Sequence, residues 1–442
     1  MRIPKAPPKP TDILKALAAD PDRFLAVSKT ITSPYVSGKY LHWDKLVHRT
    51  PPGDLNHQEW WFGLKLKRDG QEIPLRDKGG EPFLFTLAGT LQKSLRDIDL
   101  NGGGPPHALG RVNKDVRDRY LVRSLIEEAF TSSQLEGAAS TRVIAKELAR
   151  GKRQPRDRGE RMILNNYQTM RHILEIKSEP LSKKLVFEIQ RKITEDALDD
   201  PTGAGRFRRP DERVVVESTY GVVFHDPPHA NELDERMEAL CAFANDGDDA
   251  GDGPFIHPVI RSMILHFQLA YDHPFLDGNG RTARALFYWS MLKHGYELFE
   301  FVSISQAILK SSIQYGRAFL ETETDGGDLT YFLIYHAEIV NRAIRELNQY
   351  VERRTAELRN LEEELRGLAD LNNRQRDLIS HALRHPGYEY TVASHRASHN
   401  VSRQTSDNDL RELVRLGLLR ETRLGKAKRL TAAPDLERRL RG

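Results

Sequence analysis

The sequence has one cysteine in 442 residues, Cys241. A single cysteine cannot form an intramolecular disulfide, and it excludes a cysteine-rich zinc site. No apolar run approaches the roughly 20 residues of a membrane-spanning helix. The basic, proline-rich N-terminus has no apolar segment typical of a signal peptide. These absences favour a cytoplasmic protein that makes no use of a membrane.

The composition is that of a globular protein. Hydrophobic residues make up 39% and charged residues 29% of the chain, and this length suggests two to four domains. The formal net charge is only +4, but residues 411–442 contain ten Lys/Arg against four Asp/Glu. A basic C-terminal end indicates either an anionic partner or a solvated tail, and charge alone does not separate the two.

The apolar pattern predicts a mainly α protein. Residues 1–110 are rich in proline and glycine breakers, which predicts mixed short elements. From about residue 115 the apolar residues recur at helical spacing. We expect helices over 158–178, 181–198, 231–245, 257–271, 283–294, 303–321 and 328–350.

Two β-rich runs flank the sequence Ser-Thr-Tyr-Gly and predict a β-hairpin. Their apolar residues are Val214, Val215 and Val216 in the first run, and Val222, Val223 and Phe224 in the second.

Residues 273–284 read His-Pro-Phe-Leu-Asp-Gly-Asn-Gly-Arg-Thr-Ala-Arg. Glycines that lead into a helix expose backbone N–H groups and the positive end of the helix dipole, which together bind anions. Arg281 and Arg284 add positive charge to this segment. Asp277 is a suitable ligand for Mg²⁺ on phosphates, and His273 can act as a general base. This set of residues fits nucleotidyl transfer.

The segment resembles the Fic-family motif H-P-F-x-D-G-N-G-R-x-x-R at every fixed position. The resemblance implies that His273 takes the proton of a Tyr, Thr or Ser hydroxyl on a target protein, whose oxygen attacks the α-phosphate of ATP. It assigns Asp277 to Mg²⁺, and Arg284 to the γ-phosphate. The remaining nucleotide-binding residues would be Gly278, Asn279, Gly280 and Arg281. The hairpin resembles the family's flap, which aligns the target by strand addition.

Residues 132–137, Ser-Ser-Gln-Leu-Glu-Gly, resemble the family's inhibitory motif. Ser132, Glu136 and Gly137 occupy its fixed positions. A glutamate paired with Arg284 would occupy the arginine meant for the γ-phosphate. ATP would then bind with its α-phosphate misplaced, and a shift of about 1 Å can cost on the order of 100-fold in rate. The same glutamate serves the reverse reaction in some family members.

The C-terminal residues resemble a winged helix-turn-helix. Residues 346–370 are mostly charged with a leucine stripe at 358, 361, 365 and 368, which predicts a linking helix. In the module that follows, Ser402 would cap a recognition helix that starts with Arg403, Gln404 and Thr405. Residues 424–430 would form the wing. Such a module binds DNA or is reused for protein contacts and dimer packing.

The sequence thus predicts a Fic helical core with a flap hairpin and a C-terminal winged helix. The predicted divisions are 1–110, 111–345, 346–370 and 371–442. The predicted function is that of an autoinhibited protein adenylyltransferase using ATP and Mg²⁺, with self-modification and a homodimer as family traits. The alternatives are a de-AMPylase or dual-function enzyme using Glu136, and a DNA-binding regulator with a nucleotide-sensing site. The target, the transferred group and the activating trigger are not encoded in any recognisable pattern.

Overall fold

The computed structural model describes residues 2–103, 114–217, 220–246, 255–367, 371–385, 387–424 and 427–440. The chain divides into two compact units. One takes in residues 1–105 and 122–345, and the other takes in residues 106–121 and 346–442. The four-part division drawn from the sequence stays a prediction.

The N-terminal part of the first unit is more helical than its breakers predict. Its helices are α1 (Pro10–Ala18), α2 (Pro21–Thr30), α3 (Trp43–Leu46), α4 (His57–Lys67) and α5 (Gly89–Gly102), and strands β1 (Gln71–Arg76) and β2 (Pro82–Phe85) pair antiparallel between α4 and α5. Prolines start α1 and α2 because the first turn needs no N–H from that residue. Trp60 and Trp61 are buried in the cluster these helices form.

A buried polar network joins this part to the rest of the unit. The side chain of Arg68 is 1% exposed and donates a hydrogen bond of 2.8 Å to the hydroxyl of Tyr331. Tyr40 donates to Asp328 at 2.7 Å, and Lys65 lies 3.2 Å from Asp325. Breaking such a network would leave buried charges without partners.

The helical part that follows runs to the end of the unit. Its elements are α6 (Lys114–Leu135), α7 (Arg142–Ala149), α8 (Arg158–Ile176), α9 (Lys183–Thr194), α10 (Leu233–Asn245), α11 (Pro258–Asp272), α12 (Asn279–Lys293), α13 (Ile304–Leu309), α14 (Ser312–Thr324) and α15 (Thr330–Gly367). The division between the units falls within α6 and within α15. Helices α11 and α12 are buried almost throughout and form the centre of the unit.

Two helix predictions were wrong in extent. The predicted helix 303–321 is interrupted between α13 and α14, where Ser311 leaves the helical region with φ −142° and ψ 39°. Serine favours helix ends because its hydroxyl competes for backbone partners. The predicted helices 328–350 and 346–370 are one helix of 38 residues, α15. No glycine or proline interrupts residues 330–366.

The predicted hairpin is present with shorter strands. Strand β3 (Val216–Glu217) pairs antiparallel with β4 (Val223–His225). Val216, Val222 and Val223 are exposed by 36%, 50% and 38%, so the hairpin presents apolar side chains to solvent.

The second unit contains α16 (Asn373–Arg384), α17 (Val392–His399), α18 (Arg403–Arg415), β5 (Leu419–Leu424), β6 (Ala427–Ala432) and α19 (Leu436–Leu440). Strands β5 and β6 form a regular antiparallel hairpin. Leu361 and Leu365 of α15 are buried in the same core as these helices, whereas Leu358 and Leu368 lie outside the described side chains. The element order agrees with a winged helix, which stays a prediction, and the turn of its wing at 425–426 is outside the described residues.

Candidate active site

The segment 273–278 links α11 to α12 at the centre of the first unit. Helix α11 ends because His273 takes a left-handed conformation, with φ 46° and ψ 53°. Gly278 is also left-handed, with φ 82°, and directly precedes α12. A side chain at Gly278 would press against Thr194 and Ile193 of α9. The loop is therefore held closely against α9. The N–H groups in the first turn of α12 have no carbonyl partner within their own helix.

Asn279 and Phe275 fix the shape of this loop. The side chain of Asn279 accepts a hydrogen bond of 2.9 Å from the N–H of Phe275 and donates one of 2.8 Å to its carbonyl. The Phe275 ring is fully buried and packs against Phe187 and Phe207. The side chain of Asn279 is thus occupied with its own loop, whereas the sequence predicts that it contacts nucleotide.

His273 is held with one ring nitrogen committed. Its Nδ1 lies 3.1 Å from the carbonyl of Ala270. A carbonyl only accepts, so Nδ1 carries the proton and Nε2 keeps its lone pair. Burial lowers the pKa of His273 to about 4, opposed in part by the Ala270 contact. The imidazole is therefore neutral at pH 7, as a general base must be.

Asp277 is the acidic group of the site, and both its carboxylate oxygens face arginines. Oδ2 lies 3.0 Å from Nη2 of Arg158, and Oδ1 lies 3.1 Å from Nη2 of Arg281. Gln190 donates to the Asp277 carbonyl at 3.1 Å. The side chain of Asp277 remains 27% exposed, but that of Arg281 is fully buried. Arg281 thus supports Asp277 and α9, where its Nη1 bonds the carbonyl of Ile193.

Arg284 is buried, with 3% of its side chain exposed, and three hydrogen bonds hold it. Its Nη2 donates to Oε1 of Glu136 at 2.8 Å and to the carbonyl of Ser132 at 3.0 Å. Its Nε donates to Oγ of Ser132 at 2.9 Å. Burial lowers the pKa of Arg284, but Glu136, Tyr315 and Glu128 together outweigh burial and leave the pKa raised.

Glu136 reaches the site from the end of α6. Gly137, with φ 89°, reverses the chain there, and the N–H of Ala138 bonds the carbonyl of Ser133 at 3.0 Å. This is a glycine-terminated helix end. A Cβ added to Gly280 would overlap the Glu136 carboxylate. Glu136 therefore lies over the first turn of α12, at the positive end of its dipole.

The flap lies on the chain before α10, and its base is attached to the loop. Arg208 donates from its backbone N–H to the carbonyl of Pro274 at 2.8 Å and from Nε to the carbonyl of His273 at 3.0 Å. His225, at the end of β4, bonds the carbonyl of Tyr271 at 2.6 Å and lies 2.8 Å from Glu323. Val214 and Val215 precede β3 and are partly buried, as is Phe224.

The structure thus brings together His273, Asp277, Gly280, Arg284, Ser132 and Glu136. Sequence reasoning missed Arg158, Gln190, Arg208 and His225. Arg208 lies in the segment Gly-Arg-Phe-Arg before the hairpin, and an arginine beside a predicted flap was the available signal. Arg158 and Gln190 lie on predicted helices with nothing to distinguish them from surface residues.

This arrangement, an anion-binding helix start beside a neutral imidazole, a carboxylate and a buried arginine, is that of a phosphate-handling transfer site. Residues 180–291 match the family described as Fic/DOC. The matched residues contain the hairpin of β3 and β4, α11 and most of α12.

Curated proteins are similar to part of this chain. The chain is 34% identical over 120 residues to protein adenylyltransferase Fic of Nematostella vectensis. The aligned region covers 27% of this chain and 25% of the relative. It is 32% identical over 120 residues to the same-named protein of Culex quinquefasciatus, covering 27% and 21%. The chain thus spans about a quarter of the length of these relatives.

A crystal structure of a Fic family protein from Desulfovibrio desulfuricans G20 has the same fold. It superposes with a TM-score of 0.53 at 18% identity and covers 79% of this chain and 97% of that one. In the described part of this chain, no helix is long and apolar enough to cross a membrane.

Proposed function

We propose that this protein transfers AMP from ATP to a hydroxyl group of a protein side chain, and that Glu136 restrains this activity. The proposal rests chiefly on one observation. Arg284, buried and aimed at the start of α12, is bonded to a carboxylate from a distant helix at 2.8 Å, while a neutral imidazole stands at the other end of the same loop. A site with this base and this anion-binding turn is suited to phosphoryl chemistry.

The reaction follows from the groups present. Nε2 of His273 takes the proton of the target hydroxyl, and the hydroxyl oxygen attacks the α-phosphorus of ATP. The bond between that phosphorus and the oxygen leading to the β-phosphate breaks. Pyrophosphate leaves, and AMP stays on the target oxygen. The backbone N–H groups of Gly278 to Gly280 and the dipole of α12 stabilise negative charge on the phosphates.

The carboxylate of Asp277 is suited to bind Mg²⁺. The described residues contain no cluster of three or more His, Cys, Asp or Glu that could hold a metal. Mg²⁺ on nucleotide takes most ligands from phosphate and water and needs only one or two carboxylates. The partly exposed Asp277 supplies one. When bound there, the ion would neutralise charge on the phosphate oxygens.

Glu136 would restrain the transfer because it and the nucleotide need the same binding partners. The γ-phosphate and Glu136 are both anions that seek Arg284 and the first turn of α12. While Glu136 is bonded to Arg284, the γ-phosphate of a bound nucleotide cannot bond this arginine. The α-phosphate is then not placed for attack by a hydroxyl that has given its proton to His273. Movement of Glu136 would release the arginine.

The test is label transfer from α-phosphate-labelled ATP with Mg²⁺, in lysate and on the protein alone. Wild type, Glu136→Gly and His273→Ala/Glu136→Gly are compared. Strong labelling by Glu136→Gly that disappears in the double variant is the expected result. If Glu136→Gly binds ATP but transfers no label, the proposed activity is wrong, and removal of AMP by a Glu136-dependent reaction becomes the better hypothesis.

A second candidate function concerns α18 of the second unit. Arg403, Gln404, Asn408 and Arg411 are all exposed at helical spacing on this helix, and Ser402 caps its start by accepting from the N–H of Thr405 at 3.1 Å. We propose that this face binds DNA. A gel shift with random duplex DNA at two salt concentrations tests it. Arg403→Ala should weaken binding, Arg384→Ala on α16 is the control, and no shift at low salt would refute it.

A further inference from the structure

His273 has a backbone conformation that needs support. A left-handed conformation is unfavourable for a residue with a side chain, and His273 has φ 46°. Two contacts come from its own helix: its N–H donates to the carbonyl of Leu269 at 3.1 Å, and Nδ1 donates to Ala270 at 3.1 Å. The carbonyl of His273 is held by a different segment, through Arg208.

Arg208 joins three parts of the site at once. It is buried, with 8% exposure. Its guanidinium bonds the carbonyl of His273 at 3.0 Å and also the carbonyl of Pro228, where the chain leaves the flap. Its backbone N–H bonds the carbonyl of Pro274 at 2.8 Å. The residue itself lies on the chain that enters the flap. One side chain therefore ties both ends of the flap to the loop that carries His273.

The acceptors of Arg208 are carbonyls, and no ion pair to it is found in the described part of the chain. The nearest acidic groups, Asp226, Asp272 and Glu232, act on it only through space. Asp272 is already paired with Arg236 at 2.7 Å. A cation at the end of α11 interacts favourably with the negative end of the helix dipole. Arg208 thus fixes backbone groups of the loop and leaves a positive charge beside the imidazole.

We infer that Arg208 is a positioning residue, which holds His273 and the base of the flap in one fixed arrangement. A target strand added to the flap is thereby registered against the imidazole. This inference rests on the proposed transfer activity. It assigns to Arg208 no contact with the nucleotide, whose cradle at Gly280 and Arg284 lies on α12.

The charge of Arg208 gives the inference a distinct signature. The charged or titratable groups that act on His273 are His225 and Arg208 from the flap segment and Glu136 from α6. His225 and Arg208 lower the pKa of His273, and Glu136 raises it. Burial is the largest cause of the lowered pKa of His273, and Arg208 is a smaller one. Removal of Arg208 should therefore raise this pKa by a small amount, so that the rate begins to fall at a slightly higher pH than in the parent. A substitution that only loosens packing has no reason to produce this shift.

The experiment uses the full chain in the Glu136→Gly background. Label transfer to lysate protein is measured from pH 4.5 to 8, with the maximal rate and the KM for ATP determined at pH 7.5. In Arg208→Ala we expect the maximal rate to fall about 10- to 100-fold, the KM for ATP to change less than about 3-fold, and the fall of the rate on the acid side to begin at a higher pH than in the parent. Arg208→Lys keeps the charge, so its pH profile should stay flat and its rate should be partly restored.

Arg206→Ala is the matched control. Arg206 lies two residues away and bonds Glu212 at 2.7 Å and the carbonyl of Thr202 at 2.7 Å, but it does not bond His273. Its pH profile should stay flat. A maximal rate for Arg208→Ala within 2-fold of the parent, or a reduced rate with a flat profile, overturns the inference.

Two further outcomes are distinguishable. If the Glu136→Gly parent binds ATP but transfers nothing, the proposed function fails before Arg208 is tested. If Arg208→Ala does not fold, Arg208→Gln decides, because it keeps a donor for the His273 carbonyl and removes the charge. The fall of its rate on the acid side must then begin at a higher pH than in the parent, because the positive charge beside the imidazole is gone while the burial is kept. A flat profile for Arg208→Gln overturns the inference equally.

Discussion

Glu136→Gln separates charge from shape in the restraint of Arg284. The substitution keeps the size of the side chain and one acceptor for Arg284, and it removes the charge. A hydrogen bond to a charged group contributes about 1.5–3 kcal/mol. The Glu136–Arg284 bond, in which both partners are charged, is expected at the upper end of this range, and the bond from Arg284 to a neutral glutamine at the lower end. Loss of the charged pair in Glu136→Gly should therefore raise the population with Arg284 released by about 10- to 150-fold.

Glu136→Gln should lose only the difference, about 1–1.5 kcal/mol, which corresponds to a rate about 5- to 15-fold above wild type. The assay is the initial rate of label transfer from α-phosphate-labelled ATP at saturating Mg²⁺, for wild type, Glu136→Gln and Glu136→Gly under identical conditions. His273→Ala/Glu136→Gln provides the background.

Two results would refute this reasoning. If Glu136→Gln is as slow as wild type while Glu136→Gly is fast, the side chain restrains the site by filling space over Gly280 and not through its charge. If the rate of Glu136→Gln equals that of Glu136→Gly, the hydrogen bond retained by glutamine does not restrain Arg284. The hydrogen bond seen at 2.8 Å then does not explain the restraint without the charge.

Three other predictions concern stability and metal binding. Arg68→Ala should lower the free energy of unfolding by about 3–5 kcal/mol, since it removes a buried positive charge that lies 3.7 Å from the buried carboxylate of Asp325, and urea titration measures this. Burial lowers the pKa of His336 to about 3, so its unfolded form gains a proton near pH 6.5 that the folded form does not take. Stability should fall by about 2 kcal/mol from this residue between pH 7 and pH 5, and His336→Phe should remove that part of the pH dependence. Arg158→Ala frees one oxygen of Asp277 from an exposed pair worth about 0.2–1 kcal/mol. The Mg²⁺ concentration for half-maximal binding of a fluorescent ATP analogue should therefore fall about 1.5- to 5-fold, and an unchanged value would show that Arg158 does not compete with the ion.

The sequence is most informative where function and local structure coincide. Helix α11 was predicted within about one residue at each end, because its apolar run is bounded by His257-Pro258 and by the motif. Glu136 and Arg284 are 148 residues apart, yet the sequence predicts an ion pair between them because each belongs to a recognisable short motif. Their contact in the structure has the form that the pairing requires.

Contacts without a local pattern could not be predicted. Arg158 meets Asp277 across 119 residues, and Arg208 meets His273 across 65. Arg158 does not differ in its neighbourhood from an ordinary helix residue, and the one signal for Arg208 is its place beside the predicted hairpin. The side chains of Asn279 and Arg281 are turned into the loop and toward α9, a direction that their places in the motif do not indicate. Their contact with nucleotide stays a prediction. Side-chain direction depends on tertiary packing, which short patterns do not encode.

The helix end at Gly137 has an evolutionary consequence. Glu136 reaches Arg284 only because α6 stops where it does and presents that side of its last turn. One residue inserted in or deleted from α6 shortly before Ser132 would rotate the carboxylate by about 100° and shift it by about 1.5 Å. A single in-frame codon insertion or deletion could therefore remove the contact between Glu136 and Arg284 without altering any residue from His273 to Arg284. Descendants of one gene can in this way differ in regulation while their chemistry stays the same.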